Sequence, residues 1–454
     1  MSGPGEVDAT RAVNLRQMAD WFAAGGKPRD RWRIGTEHER FGFRRTDLGP
    51  PTYDEPNGIR AFLDSLGPMG WQPILEGDHP IGAKKGGANV SLEPGGQTEL
   101  SGAPLVDLHE TKAELDAHLA ELRTIGDALG LGWAPLGFHP TARREDMPWM
   151  PKGRYAIMRR YMPLRGRLGL DMMLRTCTVQ ANLDYLDEAD MVEKLRMSLG
   201  LQPVATALFA NSPFTEGKPN GFRSFRANTW TDTDPDRCGI PEFVFEDGFG
   251  FERFAEWILQ VPMYFVYRGR YIDVAGERFP DFMEGRLGGE LTGHYATMGD
   301  FADHVTTAFT EVRVKRYLEM RGADSGDPAM LMALPAFWVG LLYDDAAQKA
   351  AYSLIHGHTC SDFRQLVRDV PRMGLDTPWC DTTVRWLARD AVRIAKQGLK
   401  ARGRLNAAGQ DESIYLEPLE EIIASGRSPA DRWLERFHGA WGGDVTKIFA
   451  EAAL

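Results

Sequence analysis

The chain has 454 residues, 43% hydrophobic and 26% charged, an ordinary globular composition with ample material for a large core. A net charge of −11 and a pI near 5.5 argue against nucleic acid as a main partner, because phosphate backbones select a basic footprint. That balance still permits a local basic pocket for an anionic substrate.

The four cysteines (Cys177, Cys238, Cys360 and Cys380) form no C-x-x-C pair, which speaks against a zinc site or a thioredoxin-like motif and fits a reducing compartment. Met1 to Arg11 has no apolar leader. The most apolar run, Met330 to Tyr343, is too short to cross a membrane and contains Pro335. The expectation is a soluble cytoplasmic protein with no membrane partner.

Arg11 to Gly25 reads as a short helix stopped by Gly25, Gly26 and Pro28. A strand follows in Arg33 through Phe43 (RIGTEHERFGF). Strand side chains alternate, so Glu37 and Glu39 share a face, roughly 6.5–7 Å apart. Phe41 and Phe43 continue that face, and Ile34, Thr36 and His38 take the other. Two hidden like charges need a cation between them.

Ile59 to Leu66 reads as a helix. Gly86 to Gly102 reads as a hairpin with Pro94-Gly95-Gly96 at its tip. With residues 94–98 as the loop, Glu93 and Glu99 face each other across two strands, again as like charges. Leu105 to Leu129 has the apolar spacing of a long amphipathic helix. Met150 to Tyr161 is a loop entering a short helix, and its Lys152 and Arg154 could grip phosphate or carboxylate groups.

Arg175 to Tyr185 alternates cleanly as a strand, with Gln180 on its polar face. Met191 to Ala210 is helical, and Ser224 to Trp230 sets Arg226 beside aromatic residues. Val312 to Arg321 alternates again, with Glu319 and Arg321 on one face, and from Ala329 the chain is mostly helical. No βαβ rhythm appears. The pattern predicts an α+β fold with a mainly antiparallel sheet and flanking helices. It is read as one catalytic domain over 1–454, with the helix-rich part from about 329 packed on it.

Glu37, Glu39, Glu93 and Glu99, joined by Gln180 and Glu319, would place oxygen donors on one sheet face. Such a set suits Mg²⁺ or Mn²⁺ acting on phosphates. Each group also has a plain reading as a solvated rim residue or a local ion pair. The chain has no G-x-x-x-x-G-K-[S/T] loop, no G-x-G-x-x-G opening a helix, no G-x-S-x-G elbow and no H-E-x-x-H. Any nucleotide phosphates would therefore be held through metals on the acidic sheet.

Seven strings carry a resemblance: IGTEHE from Ile34, SLEPGGQTELSGAP from Ser91, MPKGRYAIMRRYMP from Met150, LDMMLRTCTVQANL from Leu170, ANSPFTEGKPNG from Ala210, RYLEMRGAD from Arg316 and LPAFWVGLLY from Leu334. In these the chain resembles the glutamate–cysteine ligases of plant and α-proteobacterial type. The resemblance implies a fold related to glutamine synthetase and the guanidino kinases. It also implies the reaction: ATP phosphorylates the γ-carboxylate of L-glutamate, and the L-cysteine amine attacks the acyl phosphate. The products are γ-glutamylcysteine, ADP and phosphate.

By the same resemblance, Glu37, Glu39, Glu93, Glu99 and Glu319 are metal ligands. Gln180 stands where another bacterial subgroup places a histidine ligand. Arg321 lies near the transferred phosphoryl group as a catalytic residue, Arg226 holds a substrate carboxylate, and Tyr155 lines the cysteine pocket. The resemblance assigns no role to Lys152 and Arg154, for which phosphate or substrate carboxylate contact is the expectation. The partners implied are ATP, L-glutamate and L-cysteine, with the protein a monomer or weak homodimer. Plant members carry a regulatory disulfide whose positions align here with Val274 and Gly289, so no plant-like switch is expected through that pair. Three alternatives remain open at this point: a γ-glutamyl ligase using another amine, a guanidino-type kinase, and a catalytically silent metabolite-binding protein.

Overall fold

The structure is a computed structural model, and it describes residues 8–454. One nine-stranded sheet organises it. Its strands are β1 (Ile34–Arg44), β2 (Gln72–Glu76), β3 (His79–Lys85), β4 (Ala88–Leu92), β5 (Thr98–Ser101), β6 (Leu131–Ala134), β7 (Thr178–Leu183), β8 (Val312–Val314) and β9 (Leu318–Asp324). The order is β8-β9-β7-β1-β5-β4-β3-β2, every pairing is antiparallel, and β6 pairs the far half of β1. The α+β reading with a mainly antiparallel sheet therefore holds.

The sheet has two chemically distinct faces because its strands alternate. Val90, Leu92, Leu100, Val179, Ala181, Leu183, Leu318 and Met320 point to the back and are buried. Helices cover this face. Leu108–Leu129 is capped by Asp107, whose carboxylate accepts from the His109 and Glu110 amides, and it ends on Gly130 in the left-handed region. Pro328–Leu342 has nearly every side chain buried and packs against Val384–Arg402. The two helices touch so closely that a Cβ on Gly398 would lie 1.9 Å from the Gly340 carbonyl oxygen, so neither position has room for a side chain. Phe41 and Phe43 join a smaller apolar cluster with Trp441 and Phe449 near the C-terminus. Among the described residues no single helix is long and apolar enough to cross a membrane.

Several sequence expectations shift in detail. The 175–185 strand is shorter, because Gly169–Arg175 is a helix in which Arg175 pairs with Asp171 one turn away. Val312 to Arg321 is a hairpin rather than one strand. Arg313 therefore faces Glu319 across the ladder instead of following it along one edge. In the Glu93 hairpin, Glu93 N–H donates to Gln97 O, and Ser91 pairs with Glu99. Glu93 and Glu99 are diagonal neighbours, not opposite ones. The residue directly opposite Glu99 is Glu39.

Candidate active site

The register of the sheet builds the front face. Glu37 stands between Ser101 and Gln180, Glu39 stands opposite Glu99, and Asn182 stands opposite Glu319. Glu93 reaches the same face from the hairpin tip, where Gly96 takes a φ of +85° to turn the chain. The predicted acids thus come together, but in two groups.

The first group is Glu39, Glu93 and Glu99. Each offers a carboxylate oxygen, and these atoms all lie within 4.8 Å of one another. Burial raises the Glu39 carboxyl well above its ordinary range, and the charges of Glu93 and Glu99 add to this. Burial and the neighbouring Glu99 push Glu93 up to about 7. The Thr178 amide donates to Glu39 at 2.9 Å, and the Ser101 hydroxyl donates to Glu99 at 2.6 Å. Three hard oxygen donors that repel one another in a buried place are suited to a small divalent cation.

The second group surrounds Glu37. Asn182 donates to its carboxylate at 2.9 Å. Beside it, Glu319 is completely buried and is the hub of three cations: Arg313 at 2.5 Å, Lys315 at 3.2 Å and Arg321 at 3.3 Å. Burial alone would raise Glu319, but these charges hold it well below the usual carboxylate range. The Gln180 amide oxygen accepts from Arg321 at 3.0 Å, so both Gln180 and Glu319 are tied to that guanidinium. Three cations around one buried anion leave positive charge facing Glu37. This suits an incoming polyanion, such as a phosphate, that a metal could accompany.

The basic residues flank the acids in one cavity. Its wall includes Glu39, Glu93, Arg154, Tyr155, Gln180, Arg226 and Arg321, closed by Trp230 and Phe309. Helix Gly153–Tyr161 carries Arg154 and Tyr155, with Lys152 at its N-terminal boundary. The Tyr155 hydroxyl and Lys152 Nζ both donate to the Leu92 carbonyl, at 2.7 and 2.6 Å, which docks this helix on β4 next to Glu93. Burial pulls Lys152 down to about 8 against the opposing pull of Glu93 and Glu99. The Arg154 guanidinium lies 5.1 Å over the Phe265 ring.

Arg226 is placed by a relay of side chains. Buried Asp324 accepts from the Ser212 and Ser224 hydroxyls. Ser224 caps helix Phe225–Trp230, and Ser212 accepts the Arg226 amide. Arg226 Nη2 donates to the Arg321 carbonyl at 2.7 Å, linking the two arginines. Arg226 Nη1 and Arg154 Nε are buried and without hydrogen-bond partners among the described residues. Buried donors left open in a cavity are suited to an anionic ligand.

Sequence reasoning missed Arg313, Lys315, Asn182, Glu311 and Asp324. Arg313 and Lys315 were visible as the polar side of the 312–321 alternation, but only the hairpin turns them onto Glu319. Glu311 lies close enough to Arg226 and Arg321 for their charges to oppose the rise that burial imposes on it. No local pattern marks it. Of the thiols, Cys360 is buried, Cys380 exposed, and both are free.

The chain matches the sequence profile of glutamate-cysteine ligase family 2 over residues 33–451. It is 48% identical over 450 residues to the chloroplastic glutamate–cysteine ligase of Nicotiana tabacum, spanning 98% of this chain and 84% of that protein. It is 49% identical over 447 residues to the chloroplastic enzyme of Arabidopsis thaliana, again spanning 98% and 84%. In fold it resembles the crystal structure of glutamate–cysteine ligase from Francisella tularensis in complex with AMP, with a TM-score of 0.54 and 11% identity over 98% of this chain and 88% of that one. The expected cytoplasmic location is corrected by these relatives, which are named chloroplastic. Cysteine usage reports redox conditions rather than the compartment that supplies them.

Proposed function

The chain belongs to glutamate–cysteine ligase family 2, and from that premise we propose how its own side chains carry the reaction. The protein is a glutamate–cysteine ligase, joining the γ-carboxylate of L-glutamate to the amine of L-cysteine at the expense of ATP in the first step of glutathione biosynthesis. What is proposed concerns the metal, the residue roles and the acting unit.

Glu39, Glu93 and Glu99 fit Mg²⁺ or Mn²⁺, since they present clustered, mutually repelling oxygens and no soft ligand. Glu37, with Gln180 and Glu319 nearby, supplies a second set of oxygens on the phosphate side. Bound divalent cations would supply charge neutralisation between two anionic substrates. The Arg226 and Arg154 guanidiniums, with their open donors, take the substrate carboxylates and fix glutamate in line for phosphorylation. Arg321, held by Glu319 and Gln180, stabilises charge on the transferred phosphoryl group.

Tyr155 and Lys152 border the place from which the cysteine amine approaches. The amine attacks the acyl carbon, the C–N bond forms, and inorganic phosphate leaves. Trp230 and Phe309 keep water from the acyl phosphate in the meantime. No side chain is required as nucleophile. The sheet and its helical cover share one apolar core from Ala12 to Ile422, which supports reading 1–454 as one catalytic unit. It acts on small molecules as a monomer or weak homodimer.

One observation carries this reading: Glu39 and Glu93, two of three carboxylates within 4.8 Å of one another, share a cavity wall with Arg154, Arg226 and Arg321. The test is product analysis with ATP, Mg²⁺, glutamate and cysteine, run against 2-aminobutyrate and other amines. ADP and γ-glutamylcysteine should form together, and cysteine should be preferred. A phosphorylated product without amide would indicate kinase chemistry, and ligand binding with no turnover would indicate a silent binder. Either would refute the reading.

A further inference from the structure

The strand that carries Arg321 is irregular at that residue. On the β9–β7 ladder, Met320 stands opposite Ala181 and Ala323 opposite Val179, so Arg321 and Gly322 together face Gln180 alone. This is a β-bulge, which adds one residue and re-aims the side chains that follow it. Leu318 and Met320 point to the back of the sheet and Glu319 to the front. Strict alternation would send Asp324 to the back with Met320. The extra residue brings it to the front instead, opposite Thr178, where it accepts from Ser212 and Ser224. Within the bulge, the Arg321 carbonyl accepts from Arg226 Nη2 at 2.7 Å. One backbone irregularity therefore mounts both arginines.

Helix Glu188–Leu208 supports the bulge from behind. Thr206 Oγ1 donates to the Gly322 carbonyl at 3.0 Å, nearer than the Gln202 carbonyl of its own helix at 3.2 Å. Gln202, one turn earlier and buried, occupies the place of a side chain on residue 322. A Cβ there would lie 2.3 Å from Gln202 Nε2, 2.6 Å from Cδ and 2.8 Å from Cγ. Gly322 does not take a positive φ, so this close approach, and not backbone conformation, is what excludes a side chain. Neither amide atom of Gln202 has a hydrogen-bond partner among the described residues. Its contact with the bulge is packing, and the Thr206 hydroxyl is the polar tie from helix to bulge.

We propose that Thr206 and Gly322 are positioning residues for the ligase reaction, acting through the bulge on Arg321 and Arg226, a role that rests on Arg321 stabilising the transferred phosphoryl group. The Thr206 hydroxyl fixes the Gly322 carbonyl. The missing Cβ lets the strand lie against Gln202. If the bulge slid by one residue, Arg321 would leave Glu319 and Gln180, and the carbonyl that anchors Arg226 would move with it. The group on the phosphoryl and the group on the substrate carboxylate thus hold their spacing through one backbone feature.

The test is steady-state kinetics of the full-length protein, corrected for the folded fraction by urea unfolding. Thr206→Val keeps the side-chain volume and removes the donor. It should lower kcat about 10- to 100-fold, the cost of misplacing a reacting group by about 1 Å. Thr206→Ser should restore kcat. Gly322→Ala should lower kcat in the same range, and adding Gln202→Ala, which removes the three nearest atoms in the way, should recover most of it. A double-mutant cycle separates positioning from mere structure. In an Arg321→Lys background, Thr206→Val should cost less than about threefold, whereas a structural defect costs the same factor in both backgrounds. A wild-type kcat in Arg321→Lys would overturn the role of Arg321, and this inference with it. An impaired Arg321→Lys on which Thr206→Val still exacts its full factor would overturn the positioning role alone. So would an unchanged kcat in Thr206→Val or no recovery in Thr206→Ser. Should Thr206→Val not fold, the Gly322→Ala and Gln202→Ala pair decides, and no loss in the first or no recovery in the second would overturn the proposal.

Discussion

Glu93→Gln should make the metal-free protein more stable while disabling it as an enzyme. Glu93 is raised from an ordinary 4.5 to about 7, chiefly by burial and then by Glu99. That rise corresponds to about 3 kcal/mol. A second route gives a similar figure. Two full charges 4.8 Å apart interact by about 3.5 kcal/mol at an effective dielectric constant of 20. The sign follows from the direction of the rise. Between pH 4.5 and 7 the folded protein holds a proton that the unfolded chain releases, so stability is full below 4.5 and falls as pH rises through 7. The amide removes the ionisation, so the variant should exceed the wild type by up to about 3 kcal/mol at pH 8 and match it near pH 4.5. Urea unfolding in chelator at both pH values measures this. Saturating Mg²⁺ should narrow or invert the gap, because only the intact set gains binding energy. A gap independent of pH, or a less stable variant at pH 8, would refute the reasoning.

Three further outcomes are expected. Arg226→Ala should raise the KM for glutamate or cysteine about 10- to 150-fold, the loss of a charged hydrogen bond, with the fold intact by circular dichroism; unchanged KM values for both would exclude a carboxylate contact. Glu319→Gln should cost about 3–5 kcal/mol of stability, because it strands Arg313, Lys315 and Arg321 as buried like charges, and a loss under 1 kcal/mol in urea would remove Glu319 as their hub. His118 and His304, buried and neutral, are held down to about 4 chiefly by burial, so their contribution is full above pH 6.5 and is lost as pH falls toward 4. Replacing either with a neutral residue of similar size should flatten the acid side of the stability profile; an unchanged profile would place their titration elsewhere.

Much of the site was legible because strand alternation is a strong local rule. Glu37 and Glu39 fall on one face whatever the rest of the chain does. The partner of Glu99 was not legible. Hairpin register depends on how the tip closes, and here the Gln97 side chain accepts the Gly95 amide and moves the closing pair to Glu93 and Gln97. A shift of one residue on each strand exchanged Glu93 for Ser91 opposite Glu99 and left Glu39 as the directly facing acid. Glu319 looked like a ligand because Arg313 and Lys315, though on the same side of the alternation, gave no sign of converging on it. Arg313 reaches it from across a turn, and Lys315 from within the turn, and turns join side chains that periodicity treats as separate. Asp324 acts through Ser212 and Ser224, about a hundred residues away in sequence, and itself lies 3.9 Å from Arg226 Nη1. The last third was legible as helical, but the Gly340–Gly398 contact that sets its packing depends on two helices meeting.

The two-group arrangement of the acids is tested most directly by Mn²⁺ titration of metal-free protein, counting bound ions by the loss of free-ion spin resonance. Glu39→Gln and Glu99→Gln should weaken the same class of site by more than about tenfold, and Glu37→Gln should spare it and weaken a different one. Identical titrations for all three variants, or unaltered binding in Glu99→Gln, would contradict the account.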